Sequence, residues 1–279
     1  MDDLSGGRVP LNDGRHMPLF GLGTWRMPSG DAALAVQAAV GIGYRLVDTA
    51  AAYANEEGVG RGLRECGAER GRIWVATKLW NTRHGLDESR RAFDESLARL
   101  GLDHVDLYLI HWPMPKAGRY VEAWKALAGL QSEGRARSIG VSNFNEKHLR
   151  RIMDATGVAP AVNQIECHLA FQQPALRQLH RSLGIVTQAW SPLGRKKGLE
   201  DPRLARLAQG WGMTPAEAAI AWHMAAGNAV IPKTASPERM AANLAAASRR
   251  LPPGAMEALE ALDLGEAGRQ GGDPETFEG

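Results

Sequence analysis

Four polar side chains stand at or just after the ends of apolar segments. Asp48 ends the segment YRLVD, and Tyr53, one of four tyrosines in the chain, follows five residues later. Lys78 and His111 end the next two apolar segments, RIWVATK and VDLYLIH. An aspartate, a phenol, a lysine and a histidine could together deliver a proton, and no nucleophile or metal-ligand spacing accompanies them.

The chemistry that these four groups could perform follows from their pKa values. A free phenol has a pKa of about 10, which makes it a poor proton donor to a developing alkoxide at neutral pH. A neighbouring Lys78 would lower the pKa of Tyr53, and Asp48 would keep Lys78 charged and in place. His111 could donate a hydrogen bond to a carbonyl oxygen. The set predicts proton donation to a carbonyl, with the hydride supplied by a bound cofactor because side chains supply none.

The elements that would position these residues alternate along the chain. Eight short apolar segments are separated by amphipathic stretches of helical periodicity, many of which end in glycine. The segments span 19–23, 44–48, 72–78, 105–111, 136–142, 161–166, 184–190 and 228–233. Continuous apolar strands with intervening helices indicate an α/β fold with a parallel sheet, and eight such units favour a closed (β/α)8 TIM barrel.

An open doubly wound sheet is the alternative fold. A dinucleotide-binding sheet of that kind would carry G-x-G-x-x-G after its first strand. Here the first strand ends with Gly21 and Gly23, and Arg26 stands where the third glycine would be. The open sheet is therefore the less favoured of the two.

The two ends of the chain are predicted to lie outside the alternating pattern. Asn12-Asp13-Gly14 reads as the turn of an N-terminal β-hairpin that covers one end of the barrel. The tail after Leu264 is polar and rich in glycine, so we expect it to be irregular and to fold over a barrel mouth. No linker divides the chain, which predicts one domain over residues 1–279.

Composition excludes several classes of protein. The chain has 44% hydrophobic and 23% charged residues, typical of a globular protein. A formal net charge of +2 suggests no nucleic-acid or membrane partner, and two cysteines are too few for a disulfide framework. The N-terminus lacks the features of a signal peptide, and no apolar run could span a membrane. We expect a cytoplasmic protein without a metal.

Further polar residues follow the later strands. Ser142 and Asn143 come after the fifth segment, and Gln164 and Glu166 lie near the end of the sixth. In TIM barrels the carboxyl ends of the strands converge on one mouth, where the active site lies. All these residues are therefore expected at the same rim.

An anion site is predicted after the eighth strand. Ser236 can cap a helix that has Pro237 in its first turn. Lys233, Thr234 and Arg239 surround this helix start, where barrels often bind a phosphate. An ordinary capped surface helix would show the same pattern, so the alternative stays open at this point.

With these motifs in order, nearly the whole chain resembles the aldo-keto reductase family. The resemblance rests on GLGTW (21–25), YRLVDTAAAYANEEGVG (44–60), TKLW (77–80), DLYLIHWP (106–113), SIGVSNF (138–144), AVNQIECH (161–168), WSPLG (190–194) and IPK (231–233), with Arg239 and Asn243. Among its branches, the bacterial 2,5-diketo-D-gluconic acid reductases are the most similar. The resemblance implies a (β/α)8 barrel that reduces aldehydes and ketones, keto-sugars among them, with NADPH, and a monomeric state.

Site roles also follow from this resemblance. It implies a catalytic tetrad of Asp48, Tyr53, Lys78 and His111, with Tyr53 as the acid. The expected cofactor-binding residues are Gly23, Thr24, Trp25, Ser142, Asn143, Gln164, Trp190, Ser191, Leu193, Gly194, Lys233, Thr234, Arg239 and Asn243. Two basic residues near a phosphate ester favour NADPH over NADH. The expected substrate-binding residues are Trp25, Trp80, His111 and Trp112.

The sequence departs from the family pattern at three positions. Leu169 stands where relatives usually have proline, Ala242 where many have a glutamate beside the adenine, and Thr234 where serine is common. The short basic loop after strand seven could use Arg195, Lys196 or Lys197 to hold the cofactor.

Two other functions remain alternatives at this level. The chain could be a non-catalytic nucleotide sensor, although an intact tetrad argues against it. It could also be a sugar-phosphate lyase or isomerase, with Lys78 forming a Schiff base or Glu166 acting as a base. Schiff-base chemistry needs a neutral amine, whereas Asp48 would keep Lys78 charged.

Overall fold

The eight apolar segments form one parallel sheet that closes on itself. The computed structural model describes residues 7–279, and its strands are β1 (Arg8–Pro10), β2 (His16–Pro18), β3 (Leu22–Gly23), β4 (Leu46–Asp48), β5 (Trp74–Leu79), β6 (Val105–Ile110), β7 (Ala136–Ser142), β8 (Val162–Glu166), β9 (Val186–Trp190) and β10 (Ala229–Val230). Strands β3 to β10 pair in sequence order. Phe20 forms a parallel bridge to Val230, and the amide of Gly21 donates to the Val230 carbonyl at 2.9 Å. The sheet is therefore a closed barrel, and the open doubly wound alternative is wrong.

Helices cover the outside of the barrel. They are α1 (Ser29–Ile42), α2 (Glu56–Glu65), α3 (Leu86–Leu100), α4 (Tyr120–Ser132), α5 (Glu146–Thr156), α6 (Pro174–Ser182), α7 (Arg195–Leu199), α8 (Pro202–Gly210), α9 (Pro215–Ala225), α10 (Pro237–Ala246) and α11 (Ala255–Glu260). Their apolar faces and the outward side chains of the strands form one buried cluster. No helix within residues 7–279 is long and apolar enough to cross a bilayer.

The N-terminal hairpin covers the amino end of the barrel, as the sequence predicts. β1 and β2 pair antiparallel around a turn in which Gly14 has a φ of 84°. Leu11 and Met17 pack with Leu46 and Trp74, which begin β4 and β5, in a second apolar cluster inside the barrel. This end is therefore filled by side chains, and the opposite mouth is left for a site.

The first and last barrel strands are shorter than the sequence segments suggest. β3 and β10 each contain two residues, although the apolar segments span 19–23 and 228–233. Pro232 has no N–H to donate, so regular pairing ends before it. Its carbonyl still accepts from the amide of Gly23 at 3.2 Å, which holds the seam together up to the rim.

The C-terminal tail is irregular and crosses the carboxyl mouth of the barrel, which confirms the prediction. It contains one short helical turn, Gly265–Gly268, and no strand in residues 265–279. The amide of Leu264 donates to Ala170 at 3.0 Å, and Gly271 and Phe277 reach the cavity at the mouth.

Glycines set the close approach of α2 to its neighbours, and this predicts a stability difference. A Cβ on Gly58 would overlap the Ser29 carbonyl oxygen at the start of α1, so Gly58→Ala should lower the free energy of unfolding by about 1–3 kcal/mol. Gly41 lies in α1 with no atom within 4 Å of an added Cβ. Gly41→Ala should be neutral or stabilising by up to about 1 kcal/mol. Urea unfolding measures both, and equal stability of the two variants would contradict this packing.

Candidate active site

The ends of β4 and β5 bring a lysine, an aspartate and a phenol together. The ammonium of Lys78 donates to Asp48 Oδ1 at 2.5 Å, to the Thr49 carbonyl at 2.9 Å and to the Tyr53 hydroxyl at 3.4 Å. Tyr53 ends a short helical turn, and Ala54 after it is left-handed with a φ of 53°. The three N–H groups of Lys78 are thus all directed at named acceptors, and one of these is the proposed proton donor.

Lys78 and Asp48 form an ion pair without access to water. Burial lowers the pKa of Lys78, but Asp48 and Tyr53 together outweigh it, so the pKa of the ammonium lies above its ordinary value. Burial raises the pKa of Asp48, and hydrogen bonds from Lys78 and from Gln164, at 2.8 Å from Asp48 Oδ2, oppose that shift. The ion pair and the direction of this pKa shift are consistent with a charged Lys78, and the role of Asp48 in keeping it charged stays a prediction.

The pKa of Tyr53 differs from the sequence-based expectation. Burial raises the pKa of Tyr53 above its ordinary value of 10.0, whereas Lys78 lowers it. The sign of the lysine effect agrees with the prediction, but the predicted net lowering is wrong because the loss of water around the phenol has the larger effect. Tyr53 is therefore protonated at neutral pH and can act as a donor.

His111 directly follows β6, and its ring packs against the phenol of Tyr53. Its ring meets those of Tyr53 and Trp80 edge to face, with centroids 5.7 and 5.1 Å apart. Burial, with a smaller effect of Lys78, lowers the pKa of His111 well below its ordinary value. The imidazole is therefore neutral and has one N–H, which suits a hydrogen bond to a carbonyl oxygen rather than proton transfer.

The ends of β7, β8 and β9 form a hydrogen-bonded rim beside the tetrad. Asn143 Nδ2 donates to the His111 carbonyl at 3.0 Å, and Trp190 Nε1 donates to Asn143 Oδ1 at 2.8 Å. The Ser142 hydroxyl donates to the Gln164 carbonyl at 2.7 Å. Four predicted residues are thereby fixed to one another and to the backbone of the tetrad histidine.

Two rim residues hold a backbone conformation that non-glycine residues rarely adopt. Asn143 has a φ of 62° and Ser191 a φ of 49°. Left-handed non-glycine residues cost free energy and cluster at functional sites. In this conformation the side-chain amide of Asn143 forms hydrogen bonds with the His111 carbonyl and with Trp190 Nε1. These two bonds offset the cost of the left-handed backbone.

A cavity of about 320 Å³ opens at this mouth. The predicted residues that line it are Gly23, Trp25, Asp48, Tyr53, Trp80, His111, Trp112, Ser142, Asn143, Gln164, Trp190, Ser191 and Lys233. The sequence did not single out the further lining residues Ala52, Pro192, Ile231, Gly271, Gly272 and Phe277 for the site. Phe277 is the one with a detectable signal, because it is the only aromatic residue in the polar tail.

Six predicted cofactor residues lie outside this lining. Thr24 is buried, and its hydroxyl donates to the Asp48 carbonyl at 3.0 Å. Leu193 packs on the core, and the carbonyl of Gly194 accepts from Gln270 at 2.9 Å. Thr234, Arg239 and Asn243 belong to the start and first turns of α10, beyond Lys233.

The start of α10 offers groups suited to an anion. Ser236 caps the helix by accepting from the Arg239 amide at 3.2 Å, as predicted. The side chains of Lys233 and Arg239 are exposed, and neither forms an ion pair within residues 7–279. Free cations at the N-terminus of a helix fit a phosphate group. Lys233 also lines the main cavity, which joins the two regions.

Of the three basic residues after β9, one reaches the cavity. Arg195 lines it, with its guanidinium carbon 5.3 Å from the centroid of the Trp25 ring. Lys196 is exposed and pairs with Glu200 at 3.6 Å, and Lys197 is exposed. Arg195 is therefore the basic residue of this loop that is placed to contact a bound molecule.

The lyase alternative finds little support in this geometry. Lys78 is held in the charged form, which cannot form a Schiff base. Glu166 does not line the main cavity, and its two oxygens accept from the amides of Gln270 and Gly271. Within the described chain, no group of three or more His, Cys, Asp or Glu side chains could hold a metal ion.

Comparison with known proteins agrees with the fold and with the family that the sequence motifs indicate. The model of the Aldo/keto reductase family matches residues 19–264. An aldo-keto reductase of Mycobacterium sp. (strain KMS) is 48% identical over 269 residues, 96% of this chain and 97% of the relative. Methylglyoxal reductase DkgA of Escherichia coli (strain K12) is 44% identical over 273 residues, 97% of this chain and 98% of the relative.

Solved structures of aldo-keto reductases are also similar to this chain in fold and in sequence. A mutant of Gox0644 in complex with NADPH superposes with a TM-score of 0.92 at 48% identity, covering 97% of this chain and 98% of that chain. The Bombyx mori aldo-keto reductase in complex with NADP has a TM-score of 0.89 at 33% identity, covering 97% of both chains. This chain belongs to the aldo/keto reductase family, as its motifs indicate.

The buried ion pair predicts an asymmetric effect of charge removal. Asp48→Asn leaves the Lys78 ammonium buried without its counter-ion and should lower the free energy of unfolding by about 3–5 kcal/mol. The double variant Asp48→Asn, Lys78→Met removes both charges and should recover much of that loss. Urea unfolding of the two variants checks this. A double variant less stable than Asp48→Asn alone would show that Lys78 is not stabilised mainly by Asp48.

Proposed function

We propose that this protein reduces aldehyde and ketone carbonyls to alcohols with NADPH as the hydride donor, and that Tyr53 supplies the proton. The observation that carries the proposal is the Lys78 ammonium, charged by Asp48 and 3.4 Å from the Tyr53 hydroxyl at the base of an aromatic cavity. That arrangement stabilises a phenolate once the proton has left, and this is what a phenol needs to act as an acid.

The residues around the cavity fit the cofactor. Gln164 turns its Nε2 towards Asp48 and Gln188, which leaves Oε1 to accept from a carboxamide. With Ser142 and Asn143 it would hold the nicotinamide carboxamide, while Trp190 would stack on the ring. Ser191, Leu193 and Gly194 would line the pyrophosphate, and the α10 residues Lys233, Thr234, Arg239 and Asn243 would take the adenosine phosphate. When bound, NADPH supplies a hydride to the carbonyl carbon.

The side chains of the tetrad divide the remaining work. Neutral His111 would donate a hydrogen bond to the carbonyl oxygen and orient it over the phenol. Tyr53 would then transfer its proton to that oxygen as negative charge develops there, and Lys78 would stabilise the phenolate. Asp48 touches Lys78 rather than the reacting atoms, so its role is to hold the ammonium charged and in position.

The cavity walls indicate the kind of substrate. Trp25, Trp80, Trp112 and Phe277 make the lining largely aromatic. Such walls favour small or flat carbonyl compounds over heavily hydroxylated ones, because a buried hydroxyl without a partner costs free energy. The Escherichia coli relative is named a methylglyoxal reductase. We therefore favour small 2-oxoaldehydes, and keep 2,5-diketo-D-gluconate as the second candidate because of the sequence motifs.

A sensor without catalysis is the competing function. It would need the nucleotide-binding rim but not the Lys78–Asp48 pair beside a phenol, so the assembled tetrad argues against it. A substrate panel of 2-oxoaldehydes, diketones and keto-sugars, with NADPH and NADH in parallel, separates these possibilities. Absence of NADPH oxidation with every substrate would overturn the reductase assignment. A monomeric state and a cytoplasmic location stay predictions.

Tyr53→Phe tests the proton donor. The phenyl ring keeps the shape of the site but has no proton, so kcat should fall by roughly 10²–10⁴-fold while NADPH affinity is retained. Tyr108→Phe is the matched control, because the Tyr108 hydroxyl is buried without a hydrogen-bond partner and lies outside the cavity lining. Steady-state rates and a fluorescence titration with NADPH measure the two effects. Unimpaired turnover of Tyr53→Phe would refute the assignment.

Arg239→Ala tests the choice of NADPH over NADH. The guanidinium would pair with the 2′-phosphate, and losing one charge-assisted contact should weaken NADPH binding by about tenfold or more while NADH binding stays constant. Arg249→Ala is the control, since Arg249 pairs with Glu217 in the first turn of α9. Equal loss for both cofactors would mean that Arg239 does not recognise the phosphate.

A further inference from the structure

Glu166 is a buried carboxylate that the proposed reaction does not use. It ends β8, in register with Trp190 on β9. Its Oε1 accepts from the Gln270 amide at 2.8 Å and its Oε2 from the Gly271 amide at 2.8 Å, while His168 Nε2 lies 3.1 Å from Oε1. Burial would raise the pKa of Glu166, but the His168 and backbone hydrogen bonds outweigh it and lower that pKa. The carboxylate is thus ionised, and each of its oxygens accepts a hydrogen bond from a tail amide, with His168 lying against one of them.

The tail, residues 265–279 and here called the strap, touches the proposed cofactor side of the cavity. A Cβ on Gly271 would overlap the Trp190 ring and lie 2.9 Å from Glu166 Oε2, so the strap backbone lies directly on the tryptophan. Gln270 Nε2 donates to the Gly194 carbonyl at 2.9 Å. Trp190 and Gly194 are the positions proposed for the nicotinamide ring and the pyrophosphate.

The strap also forms part of the substrate side. Phe277 stacks on Trp112 with centroids 4.0 Å apart and an interplanar angle of 26°. Glu275 accepts from the side chain of Asn145 at the start of α5, and the buried His148 Nε2 lies 3.4 Å from Glu275 Oε1. One irregular segment therefore connects the aromatic substrate wall to the two cofactor positions.

We propose that Glu166 is a positioning residue that couples the strap to the cofactor site. By fixing the amides of Gln270 and Gly271, it seats the strap on Trp190 and next to Gly194. When the strap is packed against Trp190 and Gly194, both residues are held in place before the cofactor binds. Because coupling free energies are reciprocal, a bound cofactor in turn stabilises the packed conformation of the strap. The inference rests on the proposed function, since it takes NADPH as the bound molecule.

A protease experiment on the intact protein tests this coupling directly. Arg269 is the last Lys or Arg in the chain, so tryptic cleavage after it removes residues 270–279 and nothing else. Its side chain pairs with Glu266 and lies 4.6 Å from the Phe171 ring centroid, so cleavage requires the strap to lift. Saturating NADPH should slow this cleavage by about tenfold, as followed by intact mass. Adenosine 2′-phosphate, which would occupy the α10 region but not Trp190, should not slow it.

Two variants should lift the strap by different means. Glu166→Gln replaces one acceptor oxygen by an amide that cannot accept from a backbone N–H. Gly271→Ala keeps the carboxylate but puts a methyl group against Trp190. Both should cleave faster at Arg269 and raise the Kd for NADPH and the KM for the carbonyl by roughly fivefold or more. Any fall in kcat should be smaller than these changes, because the tetrad is untouched. Glu278→Gln is the tail control, since Glu278 forms only an exposed pair with Lys116.

The outcomes separate this inference from the proposed function. Equal cleavage rates with and without bound NADPH, or unchanged NADPH affinity in Gly271→Ala despite a released strap, would overturn the coupling and leave the reductase assignment intact. Failure of NADPH to bind the wild-type protein would overturn both. If Glu166→Gln does not fold, the protection of the wild-type protein and the Gly271→Ala affinities decide the question.

Discussion

The ion pair between Lys78 and Asp48 is the interaction on which the site depends. Both side chains are buried, and an isolated charge at either position would be strongly disfavoured. The pair is tolerated because β4 and β5 are adjacent parallel strands whose ends place an ammonium and a carboxylate 2.5 Å apart. Its consequence is a fixed positive charge next to Tyr53, in a place where water would otherwise weaken the effect of that charge.

Closure of the barrel brings the ends of the other strands next to the Lys78–Asp48 pair. Because the sheet has no open edge, the ends of β6, β7, β8 and β9 must meet those of β4 and β5 around one cavity. The rim is then tied into a continuous network: Gln164 reaches Asp48, and Asn143 reaches both His111 and Trp190. A polar group that is buried at such a site is stable only when its partners are in place, so the rim is rigid by necessity.

Most of the fold and the centre of the site could be predicted from the sequence. The eight strands are visible as continuous apolar runs, and Asp48, Lys78 and His111 are visible because a polar residue ends each run. The boundaries of β3 and β10 could not be predicted from the sequence, because strand pairing there depends on Pro232 and on the contact between the first and last strands of the sheet. The pKa of Tyr53 was predicted in the wrong direction, since burial outweighs the effect of Lys78, and that burial involves groups distant in sequence such as the ring of His111.

The sequence by itself determined the order of strands and helices and the family, and it pointed to the four residues of the proposed tetrad, because these depend on local patterns and on motifs that are contiguous in the chain. Only the tertiary structure decided which basic residue of the loop after β9 reaches the cavity, and that Glu166 holds the tail rather than serving as a base. Both are contacts between segments far apart in sequence: Glu166 meets Gln270 and Gly271 across the barrel mouth. The polar, glycine-rich tail has no periodicity that would predict its path. That path depends on the hydrogen bonds from the Gln270 and Gly271 amides to Glu166, which form only when the chain is folded.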